Sequence, residues 1–210
     1  SKGDIIKWGK TVTGERWWLR LVGGKPRLIL QGSTVIGTTL LNDNEWHHIA
    51  VVAPDNIVAN IKVYIDGVLE TVTVNDTASA TFNTTADGNV QIGGSYTGLI
   101  DKVIVHDRAL AENEIDYVVN SVDADLDFGV SLDVRFDDAA DSTIVTDSSI
   151  YERSGINRGA IAGIFDATRN SNVYSFDGID SGEGVDDLHD SDYEHEVVMT
   201  TNNTKDNKGY

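Results

Sequence analysis

Glu45-Trp46-His47-His48-Ile49-Ala50-Val51-Val52, then Ile61-Lys62-Val63-Tyr64-Ile65-Asp66-Gly67, then Gly98-Leu99-Ile100-Asp101-Lys102-Val103-Ile104-Val105-His106 are the stretches whose reading decides the fold. Each is short, rich in β-branched residues and bounded by turn residues, as strands are. Side chains alternate across a strand. In the first stretch Trp46, His48, Ala50 and Val52 therefore share one face, and His47, Ile49 and Val51 share the other. Both faces are partly apolar, which predicts a sheet covered on both sides, as inside a sandwich. Asp66-Gly67 supplies a tight hairpin turn, where glycine takes a positive φ at little cost.

Outward from these stretches the pattern stays β. Residues 16–22 and 27–31 read as a hairpin around Gly23-Gly24-Lys25-Pro26. Residues 35–41 and 68–74 read as further strands, and 75–89 as a loop or weak edge strand. Residues 110–120 form the one helical segment, with Leu110, Ile115 and Val118 or Val119 on one side and acids in its first turn. Only two prolines and 20 glycines punctuate the chain, which suits many short strands and turns. The fold class expected is all-β.

Composition narrows the functions. At 210 residues and 40% hydrophobic, the chain can bury a real core. It has no apolar run of membrane-spanning length and no cysteine, so disulfide staples and thiolate metal sites are excluded. No signal peptide is visible, and the start at Ser1-Lys2-Gly3-Asp4 reads as a processed product or excised piece. The formal charge is −18 and uneven. Residues 1–120 carry 10 Lys/Arg against 14 Asp/Glu, and residues 121–210 carry 6 against 20. A broad nucleic-acid-binding face and attraction to an anionic membrane are therefore not expected. The acid suits solubility in a salty environment, or oxygen ligation of a divalent cation such as calcium.

Five motifs carry a family resemblance: Trp46-His47-His48-Ile49-Ala50, Tyr64-Ile65-Asp66-Gly67, Ile92-Gly93-Gly94, Gly98-Leu99-Ile100-Asp101 and Arg108-Ala109-Leu110-Ala111-Glu112-Asn113-Glu114-Ile115. In this order they resemble the laminin-G-like, pentraxin-like branch of the concanavalin A-like jelly rolls. The resemblance implies a jelly-roll β-sandwich of two antiparallel sheets. A second set resembles the beginning of the same family: Leu132-Asp133-Val134-Arg135-Phe136-Asp137, the polar stretch from Asp147-Ser148-Ser149 to Asn157-Arg158-Gly159, and Tyr174-Ser175-Phe176-Asp177-Gly178-Ile179-Asp180. Here the opening motifs follow the closing ones. Residues 1–120 then supply the central and C-terminal strands of a sandwich, 121–130 an acidic linker, and 131–210 the N-terminal strands. Those strands complete the same domain in permuted order, or that of a neighbouring copy. Three origins fit: a piece cut from a tandem array, a circular permutant, and a polymer subunit assembled by strand exchange.

The resemblance also implies a calcium site, with Asp101, Asp147, Asn157, Gly159, and Asp177 or Asp180 as ligands. A hard cation takes six to eight oxygens, and such loops supply carboxylates and carbonyls. Asp186, Asp187, Asp190 and Asp192 read as a solvated acidic loop. Asp123, Asp125 and Asp127 begin like an EF-hand loop, but Gly129 is one place late and the twelfth position is Val134. For ligand binding, Trp17, Trp18 and Tyr96 are candidate sugar platforms beside Trp8, with Trp17 and Trp18 on opposite faces. His47 and His48 point to opposite faces and cannot chelate one metal, while His106, His189 and His195 read as surface residues. The nearest approach to a glucanase triplet, Glu114-Ile115-Asp116-Tyr117-Val118-Val119, lacks its last acid and sits in the helix, so no catalytic residue is assigned. Asn75, Asn83 and Asn202 open glycosylation sequons, a pattern short enough to arise by chance.

The function expected is that of an extracellular or cell-surface, non-catalytic recognition or adhesion module. It binds a glycan or a cell-surface or matrix ligand and holds a structural calcium. One alternative is a structural subunit of an extracellular fibre, appendage or coat, whose partners are other copies of itself joined by strand exchange. The other is the accessory domain of a carbohydrate-active enzyme. Neither nucleic acid nor membrane insertion is expected.

Overall fold

A computed structural model describes residues 2–9, 16–30, 32–75, 89–121, 126, 128–140, 142–167, 171–177 and 196–199. The elements in chain order are β1 (Lys2–Trp8), β2 (Trp17–Val22), β3 (Lys25–Leu30), β4 (Ser33–Ile36), β5 (Ile49–Val52), β6 (Lys62–Ile65), β7 (Val68–Leu69), β8 (Thr73–Asn75), β9 (Val90–Ile92), β10 (Thr97–Ile100), β11 (Val103–His106) and α1 (Glu112–Asn120). They continue with β12 (Val130–Val134), β13 (Ile144–Thr146), β14 (Ser154–Arg158), β15 (Ile161–Asp166), β16 (Ser171–Asp177) and β17 (Glu196–Met199). The fold is mostly β with one helix among the described residues, a concanavalin A-like sandwich.

One layer is a nine-stranded sheet in the order β13-β14-β17-β9-β1-β2-β3-β4-β8. Facing it are three smaller sheets: β10-β16-β15, β11-β12 and β5-β6-β7. All strand pairings among the described residues are antiparallel; β17 joins β9 to β14, β16 lies beside β10, and β12 beside β11. The main core lies between the layers. Leu19, Leu28, Leu30, Val35 and Ile92 reach it from the large sheet, and Val63, Ile65, Val103, Val134, Tyr174 and Phe176 from the small ones. Phe136, Tyr174 and Phe176 pack as an aromatic cluster with centroids 4.6 and 6.3 Å from Phe136.

The two-sided covering expected of the Trp46-to-Val52 stretch is present. Ile49 and Val51 pack on the core, while Ala50 and Val52 lie with Tyr64 under α1, whose Ile115 is 1% exposed. The helix is held at its start by Glu114. Its carboxylate accepts from the Ala111 N–H and forms a two-pronged pair with Arg108 at 2.7 and 2.8 Å. Ala111 offers no side-chain oxygen, so Glu114 satisfies this end alone. Tight turns follow the glycines. Asp66 and Gly67 have φ of 51° and 82°, and Gly23 and Gly24 have 62° and 79°, the paired positive values of a two-residue hairpin loop.

Several boundaries differ from the sequence reading for a common reason, the carboxylate of Glu70. The strand expected over 35–41 ends at Ile36, because the backbone N–H groups of Thr38 and Thr39 donate to Glu70 instead of to a neighbouring strand. The Thr38 and Thr39 hydroxyls donate to it as well. The same clamp interrupts the strand expected over 68–74, leaving β7 and β8 on either side. The helix starts at Glu112, two residues later than expected. In the acidic stretch 121–130, the described residues turn at Gly129 (φ 76°) and enter β12 at Val130. Asp123, Asp125, Asp127, Asp186, Asp187, Asp190, Asp192, His189 and His195 lie outside the described residues, as do Asn83 and Asn202.

Candidate recognition face

The outer face of the nine-stranded sheet is built by alternation. On β2, Trp17, Leu19 and Leu21 face the core, so Trp18, Arg20 and Val22 face out. On β3, Pro26, Leu28 and Leu30 are buried, so Lys25, Arg27 and Ile29 face out. Register then sets the neighbours. Lys7 lies opposite Trp18, which lies opposite Ile29, and Asp4 lies opposite Arg20, which lies opposite Arg27.

Trp18 is the centre of a cationic cluster. The Arg16 guanidinium sits 4.8 Å from its ring centroid, the Arg20 guanidinium 5.8 Å and the Lys7 ammonium 5.8 Å, all within cation–π range. Asp4, 7% exposed, is the acid of this group: its Oδ1 lies 2.9 Å from Arg20 Nε and its Oδ2 3.8 Å from Lys7 Nζ. Lys25 and Arg27 take part in no ion pair among the described residues. Arg20 and Arg27 stand directly across from each other, a like-charge arrangement that costs stability.

The other candidate platforms sit elsewhere. Trp17 stacks on Trp8 at 4.3 Å and 13° and packs against the core. Tyr96 packs edge-on against Phe176 at 6.4 Å and covers Gly98; burial raises its phenol above the ordinary value. Of the three, Trp18 lies on the outer face of the large sheet, while Trp17 and Tyr96 line the open cavity between the layers.

The calcium candidates do not meet at one point. Asp147, 3% exposed, has both carboxylate oxygens engaged. Oδ1 accepts from the N–H groups of Asp133 and Ser149 at 2.9 Å, and Oδ2 from the Ser149 hydroxyl at 2.9 Å and the Arg153 N–H at 3.2 Å. It lies just past the Thr146 end of β13, whereas Asn157 bonds to Thr143 beyond the other end, roughly 13 Å away at strand rise. Asp101 accepts from the Ser171 hydroxyl at 2.8 Å, at the end of β10 away from Asp177. Gly159 (φ 86°), in the turn from β14 to β15, falls at the same end of the β15–β16 pair as the Asp177 backbone. Asn157 donates through Nδ2 to the carbonyls of Ala160 and Ser142 at 2.9 and 3.1 Å. Two carbonyl acceptors fix the amide's orientation, and its Oδ1 is left buried with no donor. The Asp177 side chain and Asp180 lie outside the described residues. Among the described residues no three His, Asp or Glu side chains are grouped to hold a metal.

Sequence reasoning missed two arrangements. His47 bridges two acids, with Nδ1 2.8 Å from Asp66 and Nε2 3.0 Å from Asp43. The Asp66 hydrogen bond is the main cause of its raised pKa, and His47 in turn lowers Asp43. His106 is half-buried instead of superficial; burial first, then Arg108, lowers its pKa. The spacing of Asp43, His47 and Asp66 around a hairpin turn was the available signal for the first. Nothing local marks the second.

A family model described as the concanavalin A-like lectin/glucanases superfamily, of laminin G type, matches residues 3–116. The chain belongs to that superfamily. Its laminin G-like and lectin-like members generally bind glycans or other ligands, and it includes glucanases as well. No curated protein and no solved structure matches the chain. No helix among the described residues is long and apolar enough to cross a membrane.

Proposed function

We propose that this chain is a non-catalytic recognition or adhesion module, acting outside the cell or at its surface, and that it binds its ligand on the outer face of the nine-stranded sheet around Trp18. The observation that carries this is the division of labour between adjacent tryptophans. Trp17 points between the layers, stacked on Trp8 beside the core, while Trp18 is held on the outer face among Lys7, Arg16 and Arg20. The superfamily's lectin-like character supports it. The test is binding to a saccharide panel with the Trp18→Ala chain. Loss of binding with an unchanged melting temperature is expected. Retained binding, or hydrolysis of a bound saccharide by the unmodified chain, overturns the reading.

The calcium reading narrows to the β14–β15 turn. There the buried Asn157 Oδ1 has no hydrogen-bond donor, and a hard cation would take it together with backbone carbonyls of the turn. A rise in melting temperature in calcium over EDTA, lost in Asn157→Ala, is the expected outcome. An identical melt in both conditions removes the ion from the proposal.

A second reading, a subunit assembled by strand exchange, is favoured by one feature of the smaller layer. Among the described residues β5 pairs only with β6, and β11 only with β12. Both line an open cavity of about 1810 Å³ whose floor is Ile6, Leu19 and Leu21 of the large sheet. Two bare strand edges over an apolar floor suit an added strand. Oligomers that persist on dilution and protect the β5 amides from exchange are expected. A monomer with those amides already protected excludes it.

A further inference from the structure

We infer that the ligand of the Trp18 face is an acidic saccharide, bearing carboxylate or sulfate groups, and not a neutral sugar stacked on the ring. This rests on the recognition reading above. A neutral sugar needs a free aromatic face. Here cations already lie over Trp18, with Arg16 at 4.8 Å and Arg20 at 5.8 Å from its centroid. The indole therefore acts as a rigid spacer beside which the guanidinium groups are held.

Charge on this face points the same way. The chain as a whole is −18, yet Lys7, Arg16, Arg20, Lys25 and Arg27 gather on adjacent strands with Asp4 as the acid of the group. Asp4 is engaged by Arg20 and Lys7. Lys25 and Arg27 have no ion pair among the described residues, and Arg27 Nε is buried without a hydrogen-bond acceptor. The Arg20–Arg27 juxtaposition is unfavourable in the free protein, and a bound anion between the two relieves it. At physiological salt, screening over about 8 Å lets this patch act locally despite the acid elsewhere.

A nucleic acid fits less well. Its bases need open aromatic faces for stacking, and three cations already crowd the Trp18 ring. A duplex carries a charge about every 1.7 Å and would extend past the patch onto acidic surface. A saccharide chain with sparser charges meets the patch and little else.

The experiment is calorimetric titration of the full chain with an oligogalacturonate, a sulfated heparin oligosaccharide, a neutral cellulose oligosaccharide and a single-stranded DNA, each at low and physiological salt. The variants are Arg27→Gln and Lys25→Gln, singly and together, chosen because neither residue is in an ion pair that the fold uses. Binding to an acidic saccharide is expected. The double variant should weaken it about tenfold or more and lower the salt dependence by about two charges. Equal or better binding of the neutral oligosaccharide, or acidic binding indifferent to both substitutions, overturns this inference and leaves the recognition reading standing. No binding to any saccharide overturns both. Tighter binding of the DNA replaces the saccharide with a nucleic acid.

Discussion

His47 shows how one side chain ties a loop to a hairpin. It spans Asp43, before the β5 strand, and Asp66, in the β6–β7 turn. Its pKa is raised in the fold, so its contribution is complete below the unfolded value of about 6.5 and is lost as pH rises through the folded value. His47→Gln should therefore cost up to about 1 kcal/mol at acidic pH and almost nothing in alkali, read from urea midpoints at about pH 6 and about pH 9. Glu70 has the opposite sign. Burial alone would raise its carboxyl, but the hydrogen bonds from Thr38 and Thr39 outweigh it and bring the pKa to about 2. Its stabilisation is present above the unfolded value near 4.5 and falls as pH drops toward 2. Glu70→Gln should cost about 1–2 kcal/mol at neutral pH and flatten the acid limb of a stability–pH curve. In the sequence His47 reads only as a strand member, and Glu70 lies unremarked within the strand expected over 68–74. Hydrogen bonds over 19 and 31 residues of separation leave no local pattern.

Among the elements, the glycine motif Ile92-Gly93-Gly94 has a packing explanation. Gly93 adopts φ 84°, and the ring of Phe176 occupies the space a Cβ would need. Phe176 is 1% exposed, so it cannot swing aside. Gly93→Ala combines a left-handed backbone with a core clash and should lower stability by about 3 kcal/mol or prevent folding, seen in thermal melts; Gly23→Ala has open space around its Cβ and should cost about 1 kcal/mol. The strands themselves were legible, since alternation and turn residues are local. Their ends were less so. β4 stops at Ile36 because a distant carboxylate takes the N–H groups of Thr38 and Thr39, and periodicity in 35–41 carries no sign of that.

At the scale of the whole molecule, strands from before residue 121 and after residue 130 are interleaved. β9 is flanked by β1 and β17, and the core draws Phe136, Tyr174, Phe176 and Met199 from the later part. The permuted-domain reading makes a direct prediction. Residues 1–121 alone should show no cooperative melt and should aggregate, because β9, β10 and β11 would each lose a partner and the core its aromatic cluster. A sharp transition from that piece would show that the early strands close a core by themselves.

The sequence by itself determined the class of fold, because strand alternation, paired turn residues and the five ordered motifs are all properties of neighbours in the chain. It also determined that Trp17 and Trp18 part to opposite faces, which follows from the pleat alone. Which of the two points between the layers was decided by the folded sheet, where Trp17 stacks on Trp8 once β1 and β2 pair. In the cationic surround of Trp18, Arg16 and Arg20 are its neighbours two places along the chain, while Lys7 comes from the β1–β2 register and Arg27 is set opposite Arg20 by the β2–β3 register. The separation of Asp147 from Asn157 was decided by the β13–β14 register as well. Local periodicity sets which way a side chain points; only the folded sheet sets what it points beside.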